Sequence, residues 1–235
     1  MILDIHNHVG KDSDGQTQTL EMLQKGMLLS GVTHAVIFPF SCDRLIEESI
    51  SLLEKTRNLE SIHVFLRFNP KNITPESLRS SLNLGFKGVK LHPNSEKFDI
   101  ADQTTHWIYP IIESYDIPII FHTKASQEHS HPLKVLDLAE QYPHIIFILG
   151  HFFGDSFEAM KKAKNLPNVY SEISIFGRTL RIQELVEDGF DRLLLGSDSP
   201  FDDMRVAKSK IDFAHISQEQ KDKIFCHNPK KILKL

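Results

Sequence analysis

The sequence predicts one (β/α)8 barrel over residues 1–235, with helices capping one end after the eighth unit and no β-sandwich domain. Three observations predict it. Short apolar runs begin near Ile2, His34, Ile62, Phe86, Ile117, Ile145, Val169 and Arg192. Stretches with helical apolar spacing separate them, such as Leu20, Leu23, Met27 and later Leu133, Leu136, Ala139. The runs are continuous rather than alternating, as in strands buried on both faces. Strand–helix alternation of this kind argues for a parallel sheet with helical crossovers. Eight such units in roughly 200–250 residues is the arithmetic of a closed barrel. An open doubly wound sheet is the structural alternative.

The punctuation fits element by element. Gly31, Gly85 and Gly189 precede strands, where a glycine that ends a helix belongs. Pro39, Pro70, Pro93 and Pro200 follow strands and stop the ladder. The eighth helix runs over about 202–213, and the tail SQEQKDKIFCHNPKKILKL reads as one or two terminal helices over one end of the barrel. Three longer loops, Gly10–Gln16, Asn94–Asp102 and Thr123–Ser130, follow the first, fourth and fifth predicted strands and should rim the catalytic face.

Composition narrows the function classes. The net charge of −4 lacks the basic footprint of a nucleic-acid binder. No apolar run is long enough to span a membrane. The first strand starts directly after Met1, which leaves no room for a signal peptide and points to the cytoplasm. Cys42 and Cys226 lie outside any CxxC motif and read as free thiols, with a single disulfide as the alternative.

The placement of the 13 histidines carries the most information. Histidines and carboxylates gather at strand ends: Asp4-Ile5-His6-Asn7-His8, Lys90-Leu91-His92, Phe121-His122, Gly150-His151, Glu172 and Gly196-Ser197-Asp198. In a parallel barrel these positions share one mouth. Residues two apart point the same way, so His6 and His8 face the lumen with Asp4 below them, and Lys90 pairs with His92. Neutral imidazoles with a carboxylate suit one divalent ion, zinc first, with manganese, iron or cobalt as alternatives. Each residue has a blander reading: His6–His8 as a chance dipeptide pattern, Asp198 as a helix N-cap, Lys90 as a snorkelling side chain. Their coincidence at one mouth argues against all of these, because burying so many polar groups without a shared task costs several kcal/mol.

The segments LDIHNH, GFKGVKLHP, IPIIFHT, HPLKVLDLAEQYPHIIFILGHFFG, LLLGSDSP and HNPKKILKL resemble the amidohydrolase superfamily, in its order and over residues 2–235. The resemblance is to the amidohydrolase-related group of small barrel hydrolases and metal-dependent decarboxylases. It implies His6, His8, His122 and Asp198 as metal ligands and His151 beside the metal. It implies a mononuclear site, since Lys90 sits too deep for the bridging role that strand four supplies in binuclear members.

The expected chemistry is hydrolysis of an amide, lactone or ester in a small, anionic substrate. Asp198 would act as the base and His151 would orient water or stabilise an oxyanion. Asp4 is expected to orient an imidazole or to serve structure alone. Lys90, His92 and Arg67 are candidates for the substrate side; Arg67 has an ion pair with a barrel carboxylate as its equal alternative. Glu172 is expected to pair with Lys90, and Arg178 to be solvated. Non-oxidative decarboxylation is the main alternative, kept alive by Phe40, Phe152, Phe153 and Phe176 in loops on the same face. A metal-dependent nuclease or phosphoesterase ranks below both, and a non-catalytic barrel last. A homo-oligomer stays open.

Overall fold

The computed structural model describes residues 1–12 and 14–235. Its centre is a curled, nine-stranded sheet in the order β2-β1-β3-β4-β5-β6-β7-β8-β9. The strands are β1 (Leu3–Lys11), β2 (Thr17–Gln18), β3 (His34–Pro39), β4 (Ile62–Arg67), β5 (Gly88–Leu91), β6 (Ile119–Phe121), β7 (Phe147–Leu149), β8 (Val169–Glu172) and β9 (Leu193–Leu194). All neighbours pair in parallel except β1 and β2. Beyond β9 the chain returns to β1: Ile5 N donates to Leu195 O, Asp198 N to His6 O and His8 N to Ser199 O, at 2.8–2.9 Å. The two ends of the curl are joined there.

Helices fill the crossovers: α1 (Leu20–Ser30), α2 (Leu45–Lys55), α3 (Pro75–Leu82), α4 (Ile108–Ser114), α5 (Pro132–Gln141), α6 (Phe157–Ala163), α7 (Thr179–Glu187) and α8 (Met204–Asp212). Local chemistry starts several of them. The side chains of Thr19, Thr74, Ser156 and Asp203 accept from first-turn amides, and Pro75 and Pro132 open their helices. Gly31 ends α1 at φ +74, a left-handed conformation that glycine adopts without a Cβ clash.

The sheet separates two cores. The outer one joins Val64, Leu66, Val89 and Leu91 to Leu23, Leu52, Leu78 and Leu136 of the helices. The inner one comprises Leu3, Ile5, Val36, Phe38, Phe65, Ile120, Ile148, Tyr170 and Leu194. The tail holds α9 (Gln218–Asp222) and the terminal helix α10 (Asn228–Leu233), whose Ile232 and Leu233 pack onto that inner set, so the tail closes the floor as expected. No helix among the described residues is long and apolar enough to cross a membrane. Cys42 and Cys226 are free thiols.

Three features differ from expectation. First, Gly10–Gln16 is not a plain loop: β1 runs on to Lys11 and pairs antiparallel with Thr17–Gln18. Gly10 and Gly15, at φ +119 and +90, permit that reversal; Ser13 lies outside the described residues. Second, the β1–β3 register shifts between Asp4 and Asn7. The shift breaks strict alternation, so Leu3 and Ile5, not Asp4, lie on the inner side below His6. Third, β7 is followed by a left-handed turn rather than a simple strand end. His151, Phe152, Phe153, Gly154 and Asp155 all have φ between +50 and +63.

Candidate active site

A cavity of about 230 Å³ opens where β1, β4, β5, β6 and the segments after β7 and β9 end. His6, His8, Arg67, Lys90, His92, His122, His151 and Asp198 all line it, so the expected metal-ligand, base and substrate-side residues meet there. A larger cleft of about 540 Å³, between α2 and the loop before β5, gathers no metal-ligating cluster among the described residues.

His6 is wholly buried, and its Nδ1 lies 2.9 Å from Glu172 Oε1. Burial pushes Glu172 up, but His6, His151 and backbone hydrogen bonds outweigh it and hold the carboxyl down to about 2. An ionised carboxylate only accepts, so His6 donates from Nδ1, and in the neutral ring this leaves a bare lone pair on Nε2. That bare nitrogen faces Asp198 Oδ1 at 3.0 Å, and His8 Nε2 faces the same oxygen at 3.1 Å. Asp198 is held well below its ordinary value: burial opposes this, but His6 and His8 prevail. In His6, burial and Lys90 push downward, yet Asp198 and Glu172 prevail and raise it. Acceptors in contact need a proton or a cation between them. His6, His8 and Asp198 form one group able to hold a metal ion, and His6, His151 and Glu172 form another. The donor chemistry therefore fits a divalent ion.

The same pattern recurs across the mouth. His151 Nδ1 lies 2.7 Å from Ser174 Oγ, whose proton goes to Glu172 Oε1 at 2.9 Å. His151 thus donates from Nδ1 and presents a bare Nε2, which lies 2.8 Å from His122 Nδ1. His122 Nε2 faces Gln127 Oε1 at 3.1 Å, so its proton belongs there and its Nδ1 is bare as well. Burial lowers His151 to about 4 and depresses His122 well below the usual range, which keeps both neutral. His122 lies outside both compact metal-ligating groups and joins them through His151.

Local backbone explains these placements. The left-handed turn after β7 swings His151 inward while Phe152 and Phe153 sink into the outer core. Gly154 is required there, because a Cβ would come within 2.8 Å of the Lys124 amide and the Thr123 carbonyl carbon. Gly196 leaves room for the Glu172 carboxylate, which a Cβ would overlap. Asp4 does not orient an imidazole: its Oδ1 accepts from the backbone amides of His6 and Ser197, each at 3.1 Å. It ties the first strand to the last. Glu172 does not pair with Lys90 either; its oxygens are taken by His6, the amides of His151 and Ser174, and the Ser174 hydroxyl.

Lys90 Nζ lies 3.2 Å from His6 Nε2 and 4.8 Å from the Phe38 ring centre, and burial lowers it to about 8. Arg67 makes the ion pair that sequence left open: Nε donates to Glu96 Oε1 at 2.8 Å and Nη1 to Pro39 O at 2.9 Å. Its Nη2 is buried without a partner, as is His8 Nδ1; each such orphan costs about 1–3 kcal/mol. Phe40 stacks on His8 at 5.1 Å, and Phe201 meets the same ring edge-on at 5.4 Å. Phe152, Phe153 and Phe176 pack into the outer layer instead. Glu96, Ser174, Gln127 and Phe201 carried no signal in sequence, because each acts through partners remote along the chain.

No curated protein matches. Solved structures do. A 2,6-dihydroxybenzoate decarboxylase from Rhizobium superposes with a TM-score of 0.78 at 16% identity, covering 100% of this chain and 99% of its own. A dihydroxybenzoic acid decarboxylase from Polaromonas, with bound manganese and the inhibitor 2-nitroresorcinol, gives 0.79 at 15% over 100% and 97%. A protein assigned as a 2-pyrone-4,6-dicarboxylic acid hydrolase from Pseudomonas putida gives 0.78 at 14% over 99% and 97%. These likenesses show the fold. The family model described as Amidohydrolase matches residues 4–235. The chain therefore belongs to the amidohydrolase family and is an enzyme of that superfamily.

Proposed function

We propose that the chain is one (β/α)8-barrel domain and a hydrolase dependent on one divalent ion, acting on an amide, lactone or ester of a small anionic molecule. The observation that carries the reading is the convergence of His6 Nε2 and His8 Nε2 on Asp198 Oδ1, at 3.0 and 3.1 Å, in one buried group able to hold a metal ion. His6, His8 and Asp198 would hold the ion, with His122 joining through Nδ1. Zinc suits this set first, although the decarboxylase from Polaromonas binds manganese. When bound, such an ion lowers the pKa of a water and polarises the substrate oxygen.

Asp198 accepts the water proton and passes it to the leaving group. His151, with its bare Nε2, accepts a hydrogen bond and so orients water rather than donating to an oxyanion. Lys90, His92 and Arg67 hold the substrate's anionic side.

Decarboxylation is a second reading of comparable support. Phe40 and Phe201 flank His8, giving the cavity the aromatic wall that a dry carboxylate-losing site needs. Elemental analysis tests the shared core: about one ion per chain is expected, and loss of binding in His6→Ala with His8→Ala. A protein that stays free of ions after loading would overturn it. A panel of lactones and amides beside a CO2-release assay separates the two reactions. Asp198→Asn should lower turnover by about 10²-fold or more; an unchanged rate removes Asp198 as the base.

A further inference from the structure

We infer that Glu96 is a positioning residue that aims one edge of Arg67 at the cavity, and that this edge selects a carboxylate over its neutral isostere. The inference rests on the proposed function only in assuming that this cavity binds the substrate.

Arg67 is 1% exposed and lies beside Lys90 in the β4–β5 register. Two of its three nitrogens are committed to the protein, Nε to Glu96 and Nη1 to Pro39 O. Only Nη2 has no partner, and Arg67 forms part of the cavity wall with Lys90 and His92. A carboxylate oxygen is the acceptor that suits a guanidinium edge best, because both partners are charged. A neutral amide offers a weaker oxygen.

Glu96 fixes the direction. Its Oε1 accepts from Arg67 Nε at 2.8 Å and its Oε2 from the His92 amide at 2.7 Å. Its backbone oxygen accepts from Asn69 Nδ2 at 2.8 Å. One buried side chain thereby clamps the ends of β4 and β5 together, and the guanidinium plane cannot rotate without breaking the clamp. Glu96 also neutralises Arg67, and neutralising predicts the opposite effect from positioning. If it only cancelled charge, Glu96→Gln would leave more positive potential in the mouth and strengthen anion binding. If it positions Arg67, the same change weakens it.

The test uses benzoate and its neutral isostere benzamide on the metal-loaded protein, with calorimetric Kd values and metal content measured together. The wild type should bind benzoate about tenfold more tightly than benzamide. That ratio should fall at least about threefold in Glu96→Gln and in Arg67→Met, with metal content and the benzamide Kd unchanged. Glu96→Asp, which keeps the charge and shortens the reach, should give an intermediate ratio, and it carries the reading if Glu96→Gln does not fold. Equal binding of the two probes by the wild type overturns the inference, as does a ratio that holds or rises in the Glu96 variants. Loss of metal from the wild type would instead count against the proposed function, leaving the probe ratio to report on Arg67 and Glu96.

Discussion

Glu172 organises more of the site than any ligand does. Its Oε1 accepts from His6 Nδ1, the His151 amide and the Ser174 hydroxyl, and its Oε2 from the Ser174 amide. Through these bonds one carboxylate decides which nitrogen of His6 and of His151 is bare. Replacing it with glutamine puts an NH2 among donors and unsettles both tautomers. Glu172→Gln should therefore weaken zinc binding about 10–100-fold, measured by competition with a chelating dye. Unchanged affinity would show that the ring orientations survive without the carboxylate. The residue types of the site were legible in sequence because chemistry confines them to strand ends. Their pairings were not: the sequence offers Lys90 as the partner of Glu172, and only the geometry of the curl brings it to His6. Asp4 leaves the lumen for a related reason, since a register shift leaves no mark in the pattern of apolar residues.

At the level of elements, the strands and helices could be read from apolar runs and glycine or proline punctuation. The predicted start at Val169 matches β8, and that at Ile145 lies two residues before β7. The turn after β7 could not be read. Left-handed backbone costs L-residues about 1–2 kcal/mol each, and nothing in HFFGD announces that His151, Phe152, Phe153 and Asp155 bear it. Packing holds them: Phe152 and Phe153 are fully buried, Ala125 N donates to Gly154 O at 2.8 Å, and Thr123 Oγ1 donates to Gly150 O at 2.5 Å. Gly154→Ala should destabilise the fold by about 2 kcal/mol or more, read from urea denaturation. A midpoint equal to wild type would mean that the turn relaxes freely.

For the molecule as a whole, stability should depend on pH at the end of the sheet remote from the site as well as at the buried site histidines. His63, at the start of β4, is buried against the His34 ring at 5.7 Å, and its Nε2 has no partner. Burial first, then His34 and Lys87, lower it to about 4. The unfolded chain takes up this proton near 6.5, the folded chain only near 4. Stability should therefore decline as pH falls from 6.5 towards 4, and His63→Phe should remove its share and make that decline shallower. Melting temperatures across that window check it; parallel curves would clear His63. At neutral pH, zinc at 100 times its Kd should raise stability by about 2.7 kcal/mol, visible as a higher melting temperature.

The joining of the first strand to the segment after the last has a consequence in time. Asn7 and Ser197, hydrogen-bonded to each other, stand 190 residues apart in the chain. At about 5–20 residues per second, a ribosome takes roughly ten to forty seconds to make the stretch between them. Throughout that interval the nascent chain carries an unsealed strand edge, and the proposed ion-binding set of His6, His8 and His122 lacks Asp198. On the proposed function the ion site is complete only once Asp198 has been made, and the early edge is where a chaperone or a stray strand would engage first.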